Sequence, residues 1–260
     1  MLGAITGDII GSIYEFIDTK PEMDFTLFTN ESFFTDDSVL TVALADSILS
    51  GTVYRIKLLE YYHQYPDCSY GLRFHEWVNS KNPQPYNSWG NGSAMRVSPV
   101  GWAYNDLETV LQKAKESAEV THNHPQGIKG AQSTAASIFL ARTKNSKKEI
   151  KEFVEKNFEY NLDLDLEELR ENYRFNESCQ DTVPQAIFTF LISDSFEDSI
   201  RKAIYIGGDS DTLAAINGSI AEAFYGGVPQ EIKVEIYKRL DERLMAVSAN
   251  FIEKYMSYIY

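Results

Sequence analysis

Two short acidic segments contain the residues of this sequence that are best suited to chemistry. They span residues 34–38 and 206–212, and each places two aspartates and a threonine within four residues, directly before an apolar run. Carboxylate and hydroxyl oxygens are the ligands that hard divalent cations such as Mg²⁺ and Ca²⁺ prefer over nitrogen or sulfur. The two segments together therefore predict a paired metal site.

A structural explanation of the same residues stays open at this stage. Asp, Ser and Thr are common at helix N-caps and in first turns, where they bond free amide hydrogens and complement the helix dipole. Two features favour a site instead: the segments come as a pair, and Gly207 and Gly208 before Asp209 let backbone and ligand approach closely. Four carboxylates at one place would also repel one another unless a cation neutralised them.

The apolar runs behind these segments predict the helices that position them. One predicted helix covers residues 36–50 and stops at Gly51, a residue suited to a left-handed cap. The other follows the second segment over residues 213–224 and closes at Gly226 and Gly227. Each acidic segment therefore lies at the start of a predicted helix.

The N-terminal region predicts a further, central helix over residues 2–16, because isoleucines recur there at helical spacing. Gly3, Gly7 and Gly11 each weaken a helix, so they predict that another backbone packs tightly against their face. Three polar residues share one side of this helix, namely Asp8, Ser12 and Glu15. That stripe is either a solvated face or a functional one.

The chain as a whole predicts an all-α fold with one domain over residues 1–260, because no alternating strand of useful length and no break in composition occurs. A hydrophobic content of 43% supports a substantial core. The net charge of −14, with Lys and Arg scattered, argues against a nucleic-acid partner. An anionic ligand would therefore need metal ions or helix N-termini to hold it.

Cysteine usage and hydropathy indicate where the protein acts. Cys68 and Cys179 have neither metal-site nor disulfide-framework spacing, which indicates a reducing compartment. The N-terminus lacks a basic segment typical of signal peptides, and no stretch contains the roughly eighteen uncharged apolar residues that a membrane span needs. We therefore expect a cytoplasmic protein with no membrane partner, and a monomer.

A long loop and a pair of histidines are further candidates for ligand contacts. The loop over residues 82–93 sets aromatic residues among glycines, which favours binding slightly over simple connection. His122 and His124 are separated by one residue, a spacing that could bind a transition metal. Because no further histidine or cysteine accompanies them, we interpret the pair as a ligand contact or a structural feature.

Five segments in order resemble the ADP-ribosylglycohydrolase family, which includes dinitrogenase-reductase-activating glycohydrolases and the ADP-ribosylarginine and ADP-ribosylserine hydrolases. The segments are residues 7–15, 34–38, 90–96, 121–122 and 207–212. The resemblance covers nearly the whole chain, and five motifs in one order are far more specific than any single motif.

The resemblance implies an orthogonal helical bundle with a central dinuclear site, where two Mg²⁺ (or Mn²⁺) ions lie at the base of an ADP-ribose cleft. Carried over by position, the implied metal ligands are Thr35, Asp36, Asp37, Asp209, Asp211 and Thr212. The implied catalytic residues are Glu15, close to the scissile bond, and Asp36 and Asp37. The implied substrate-binding residues, some through backbone amides, are Ser88, Gly90, Asn91, Gly92, Ser93 and His122.

The implied activity is hydrolysis at the anomeric carbon of ADP-ribose, which releases ADP-ribose from modified arginine or serine side chains of proteins, or from a related conjugate. Such a glycosidase passes through an oxocarbenium-like state, which a carboxylate acid or base and a positioned ribose assist. Two other functions stay open: a non-catalytic ADP-ribose-binding module, and a two-metal phosphoesterase. The acceptor, the general base and the roles of His124 and Cys179 also stay open.

Overall fold

Helices make up the regular structure of this protein. The computed structural model describes residues 1–16 and 19–260, and within them it contains fifteen helices, no β-sheet and an isolated antiparallel bridge between Gly90 and Ser178. In chain order the helices are α1 (Leu2–Gly11), α2 (Asp36–Ser50), α3 (Tyr54–Gln64), α4 (Leu72–Val78), α5 (Gly92–Met95), α6 (Ser98–Ala103), α7 (Leu107–Glu119), α8 (Pro125–Arg142), α9 (Lys147–Phe158), α10 (Leu166–Asn172), α11 (Cys179–Leu191), α12 (Phe196–Tyr205), α13 (Ser210–Tyr225), α14 (Gln230–Tyr237) and α15 (Glu242–Tyr255). The all-α prediction is confirmed.

Capping residues set the ends of many of these helices. α2 begins after Thr35, whose hydroxyl oxygen accepts a hydrogen bond from the Asp37 amide (3.4 Å), and it ends at Gly51 with a φ of 72°. Asp106 caps α7 by accepting a hydrogen bond from the Thr109 amide (2.8 Å). α2 therefore has the bounds that its sequence predicts.

Several elements differ from the sequence prediction. α1 ends before residues 12–16, which form a turn. α11 begins at Cys179, because the Ser178 side chain accepts a hydrogen bond from the Asp181 amide (3.2 Å) and caps the helix there. Pro184 therefore lies inside α11 and not in its first turn. The short helix α6 was not predicted.

α1 and α13 pack backbone against backbone at the centre of the protein. All ten residues of α1 are buried. A Cβ atom added at Gly7 would overlap the carbonyl of Ala214, and one added at Gly11 would come within 2.5 Å of the Asp211 Cα atom. The predicted close packing is confirmed, and it brings the end of α1 to the start of α13.

The neighbouring helices hold the acidic segments around this pair. α2 packs against α1 and α13, and α8 packs against α11 and α13. The loop between α4 and α5 then reaches the start of α13, where the Asn91 side-chain amide donates to Asp209 Oδ2 (2.7 Å). In residues 1–16 and 19–260, no helix combines the length and the apolar character needed to cross a membrane.

Candidate active site

Asp8 of α1 organises the first acidic segment from behind. Its buried carboxylate accepts hydrogen bonds from the Thr35 hydroxyl (2.6 Å), the Thr35 amide (2.9 Å) and the Ser38 amide (3.0 Å). These bonds satisfy free amides at the start of α2 and fix the segment to the central helix. α2 therefore presents Asp36 and Asp37 from a rigid base.

A left-handed turn presents the second acidic segment. Gly207 and Gly208 have φ values of 73° and 85°, which favour glycine. A Cβ atom at Gly207 would meet the side chain of Lys20 at 2.7 Å, and one at Gly208 would meet the ring of Tyr173 at 2.5 Å. The turn leads directly into Asp209 at the N-cap of α13.

The two segments meet at the ends of α2 and α13. The Thr212 hydroxyl donates to Asp37 Oδ2 (3.2 Å), and the Thr35 hydroxyl lies 3.3 Å from Asp211 Oδ2. The acidic side chains form two groups in which one oxygen from each member lies within 4.8 Å of the others: Asp8, Asp37 and Asp211, and Glu15, Asp209 and Asp211. Asp211 belongs to both groups, so two cations could bind side by side.

The buried carboxylates of this cluster repel one another, which favours binding of a cation. Burial, and then neighbouring carboxylates, raise the pKa of Asp37 and of Asp211 well above the ordinary aspartate value. Burial, and then the charge of Asp209, raise the pKa of Glu15 to about 8. Across residues 1–16 and 19–260, no Lys or Arg lies within ion-pair distance of these carboxylates.

The donor set fits a hard divalent cation. Asp37 Oδ1 is buried and has no hydrogen-bond partner in the part of the chain that the structure describes. The neighbouring ligand atoms are carboxylate and hydroxyl oxygens, with no nitrogen or sulfur in either group. Such a set suits Mg²⁺ or Mn²⁺ better than a softer ion.

A cavity of about 260 Å³ opens onto this cluster. Eleven of the residues predicted for the site line it: Glu15, Asp36, Asp37, Ser88, Gly90, Asn91, Gly92, His122, Asp209, Asp211 and Thr212. Thr35 and Ser93 lie behind the wall, where Thr35 bonds Asp8 and the Ser93 hydroxyl donates to the carbonyl of Gly127 (2.7 Å). The structure thus brings most of the predicted residues to one surface.

The loop before α5 uses some of its amides within the protein. The Gly90 amide donates to Ser88 Oγ (3.1 Å), and the Asn91 amide donates to the carbonyl of Glu177 (2.7 Å). In the described ranges, the amides of Gly92 and Ser93 have no acceptor. Of the four amides from Gly90 to Ser93, those of Gly92 and Ser93 are therefore the ones free to bond a ligand in this conformation.

Sequence reasoning missed several residues of the cavity wall. Arg73 lies with its guanidinium carbon 4.9 Å from the centre of the Tyr86 ring, and Phe175 and Glu177 line another part of the wall. None of these residues belongs to a sequence motif that would identify it as part of the site. Asp8 was visible as part of the polar stripe of α1, but it was not assigned to the metal site.

The two histidines of the predicted pair, His122 and His124, have different surroundings. His122 is buried and lines the cavity. His124 caps α8, where its Nδ1 atom accepts a hydrogen bond from the Gln126 amide (3.1 Å). Cys179 is also structural, since its buried thiol donates to the carbonyl of Gly90 (3.1 Å).

Fold and site together define an all-α protein with an acidic cavity suited to metal ions. A family model described as ADP-ribosylglycohydrolase matches residues 1–257. The chain therefore belongs to the ADP-ribosylglycohydrolase family, a family of hydrolases, and the resemblance inferred from the five motifs is confirmed.

Individual relatives agree with this assignment. The mouse protein named ADP-ribosylhydrolase ARH3 is 27% identical over 87% of this chain and 82% of its own length. The Pseudomonas putida protein named ADP-ribosylarginine hydrolase Tri1 is 24% identical over 89% of this chain and 71% of its own length. A solved structure entitled ADP-ribosylglycohydrolase-related protein complex superposes with a TM-score of 0.73 at 23% identity, covering 97% of this chain and 95% of that one. That structural likeness confirms the fold.

Proposed function

We propose that this chain is a divalent-cation-dependent hydrolase that releases ADP-ribose from a modified arginine or serine side chain, or from a related conjugate. The observation that carries the proposal is the pair of carboxylate groups that share Asp211 beside the cavity. The relatives named as ADP-ribosylhydrolases support it. We further propose that residues 1–260 act as one domain, as a monomer in the cytoplasm.

The acidic side chains would hold two Mg²⁺ or Mn²⁺ ions. Asp8, Asp37 and Asp211 would hold one ion, and Glu15, Asp209 and Asp211 the other. Thr35, Asp36 and Thr212 would supply additional oxygens. When bound, the ions neutralise the carboxylates, polarise the ribose hydroxyls and acidify the attacking water.

The chain's own residues would then orient the substrate. The free amides of Gly92 and Ser93 would bind the diphosphate or the distal ribose, with Gly92 beside His122 at the cavity. Glu15 lies at the cavity beside Asp209, where a carboxyl can exchange a proton at the scissile bond. Asn91 holds the Asp209 carboxylate through a hydrogen bond of 2.7 Å, so that its free oxygen keeps one orientation.

The decisive experiment measures ADP-ribose release from matched peptides modified on arginine or on serine, with Mg²⁺ and with chelator. Asp209→Asn is the test variant, and Asp24→Asn, which changes an exposed aspartate outside the site, is the matched control. We expect cleavage that chelator and Asp209→Asn abolish and that Asp24→Asn retains. Cleavage of only one peptide would identify the linkage.

The same assay separates the other functions. Full activity in chelator would contradict the metal-dependent mechanism. Release of AMP or inorganic phosphate, instead of intact ADP-ribose, would identify a phosphoesterase. Tight binding of ADP-ribose without cleavage of any conjugate would identify a binding module.

A further inference from the structure

A hydrogen-bonded chain runs through the buried wall of the cavity from Arg96 to His122. Arg96 Nη2 donates to the hydroxyl oxygen of Thr121 (2.8 Å), and that same oxygen lies 2.6 Å from His122 Nδ1. All three residues are buried, with Arg96 only 1% exposed. We call these residues the Arg96–Thr121–His122 chain.

The donor and acceptor roles in this chain follow from its first member. A guanidinium can only donate hydrogen bonds, so the Thr121 oxygen must accept from Arg96. The hydroxyl proton of Thr121 then needs an acceptor, and among the described residues His122 Nδ1, at 2.6 Å, is the acceptor that lies within hydrogen-bond distance and geometry. Because Nδ1 accepts, a neutral His122 carries its proton on Nε2.

The backbone around the imidazole is fixed on both sides. The His122 amide donates to the carbonyl of Ala118 (2.7 Å), and the Thr121 carbonyl accepts from the Tyr86 amide (3.2 Å). A Cβ atom at Gly127 would lie 2.8 Å from the His122 Cβ atom, so the start of α8 packs directly against it. The ring therefore has little freedom to turn away from Thr121.

The other ring nitrogen faces the glycine loop and the cavity. A Cβ atom added at Gly92 would lie 3.1 Å from His122 Nε2, and one added at Gly90 would lie 3.7 Å away. In residues 1–16 and 19–260, Nε2 has no hydrogen-bond partner, although His122 lines the cavity. The Nε2–H group is therefore available to a ligand that lies along this loop.

We propose that Arg96 and Thr121 are positioning residues that hold His122 as the neutral Nε2–H tautomer, so that it donates a hydrogen bond to a ligand oxygen beside Gly90 and Gly92. The identity of that ligand as ADP-ribose rests on the proposed function. The tautomer itself rests only on the Arg96–Thr121–His122 chain.

The charges nearby agree with a neutral ring. Burial, followed by the positive charges of Arg96 and Arg73, lowers the pKa of His122 well below its ordinary value. Arg96 has no carboxylate within ion-pair distance among the described residues, so its charge is not cancelled locally. A neutral imidazole can therefore serve as a donor with fixed direction at physiological pH.

The test reads the tautomer directly by nitrogen NMR of protein labelled with ¹⁵N-histidine, with His122→Gln used to assign the signal. We expect His122 Nδ1 to be unprotonated and Nε2 protonated between pH 6 and pH 8 in the unaltered chain. Thr121→Val, which keeps the shape but removes the hydroxyl, should give a mixture of tautomers and weaken ADP-ribose binding about tenfold. Thr121→Ser, which restores the hydroxyl, should restore both properties.

The outcomes separate this inference from the proposed function. A protonated Nδ1 in the unaltered chain would overturn the inference, and this measurement needs no variant and no ligand. An unchanged tautomer and affinity in folded Thr121→Val would overturn it as well. Failure of ADP-ribose to bind the unaltered chain, with Nε2 protonated, would contradict the proposed function and leave the tautomer assignment supported.

Discussion

At the scale of single residues, Asp8 shows how a buried side chain can determine the geometry of a site. Both of its oxygens are used: Oδ1 by the Thr35 hydroxyl (2.6 Å), and Oδ2 by the amides of Thr35 (2.9 Å) and Ser38 (3.0 Å). Burial raises the pKa of Asp8 to about 6 despite these bonds. The carboxylate therefore links the structural cap of α2 to the charge of the acidic cluster.

We predict that Asp8→Asn weakens Mg²⁺ affinity by about 10- to 100-fold, as loss of a ligand or of its support typically does. The asparagine side chain has only one oxygen. Its NH₂ group would therefore lie against one of the donors that at present bond Oδ1 or Oδ2 of Asp8. Isothermal titration of the folded variant with Mg²⁺ measures the effect, with Asp24→Asn as the control. Equal affinity in both variants would contradict a role for Asp8 at the metal site.

At the scale of elements, the contact between α1 and α13 determines how the site is assembled. α1 carries Asp8, and α13 carries Asp211 in its first turn, after its N-cap residue Asp209, so the distance between the two helices sets the spacing of the acids. Glycines allow that distance to be set by backbone atoms, which cannot repack as side chains can. Small errors in this contact should therefore affect stability and the site together.

We predict that Gly7→Ala lowers the free energy of unfolding by about 3 kcal/mol or more, because its methyl group would overlap the Ala214 carbonyl. Gly71→Ala is the matched control, since a Cβ atom there meets nothing within 4 Å and its φ is −55°. Urea unfolding of both variants measures the difference. A stability loss at Gly7 no larger than the loss at Gly71 would show that α1 can move away from α13 without cost.

At the scale of the whole molecule, the excess of negative charge affects stability. The chain has a net charge of −14, and among the residues that the structure describes, a group of carboxylates is buried together without a cationic side chain in ion-pair contact. In the unfolded chain the same carboxylates are solvated and far apart, so their repulsion costs stability only in the folded state. A cation that binds the folded site removes that cost.

We predict that Mg²⁺ at about 100 times its dissociation constant raises the unfolding midpoint by roughly 5–10 °C, which corresponds to about 2.7 kcal/mol of binding energy. Calorimetry with Mg²⁺ and with NaCl at equal ionic strength separates site binding from general screening. Asp209→Asn should lose most of the increase. The same shift with NaCl alone would indicate screening of the surface charge instead of a bound ion.

Sequence alone predicts those parts of the structure that depend on neighbours in the chain. The bounds of α2 follow from Thr35 and Gly51, and both acidic segments could be placed at helix starts for the same reason. The glycine spacing of α1 even indicated a close backbone partner, although it could not identify α13.

The parts that sequence alone could not predict depend on contacts between distant segments. Asp8 of α1 bonds the Ser38 amide at the start of α2, and Arg73 of α4 contacts the ring of Tyr86 in the loop before α5. Ser93 looked like a ligand contact, but its hydroxyl bonds the Gly127 carbonyl behind the wall. No local pattern records which way such a side chain points once the loop is folded.

The pairing of α1 with α13 also has a consequence for how the protein is made. About 200 residues lie between the two helices, and a ribosome needs roughly 10–40 s to add them. During that interval α1 is already synthesised but α13 is not. The apolar face of α1 therefore stays exposed until α13 is made, unless a chaperone covers it. The acidic cluster is therefore completed late in synthesis, and we predict that a nascent chain arrested before α13 neither binds Mg²⁺ nor releases ADP-ribose from a modified peptide.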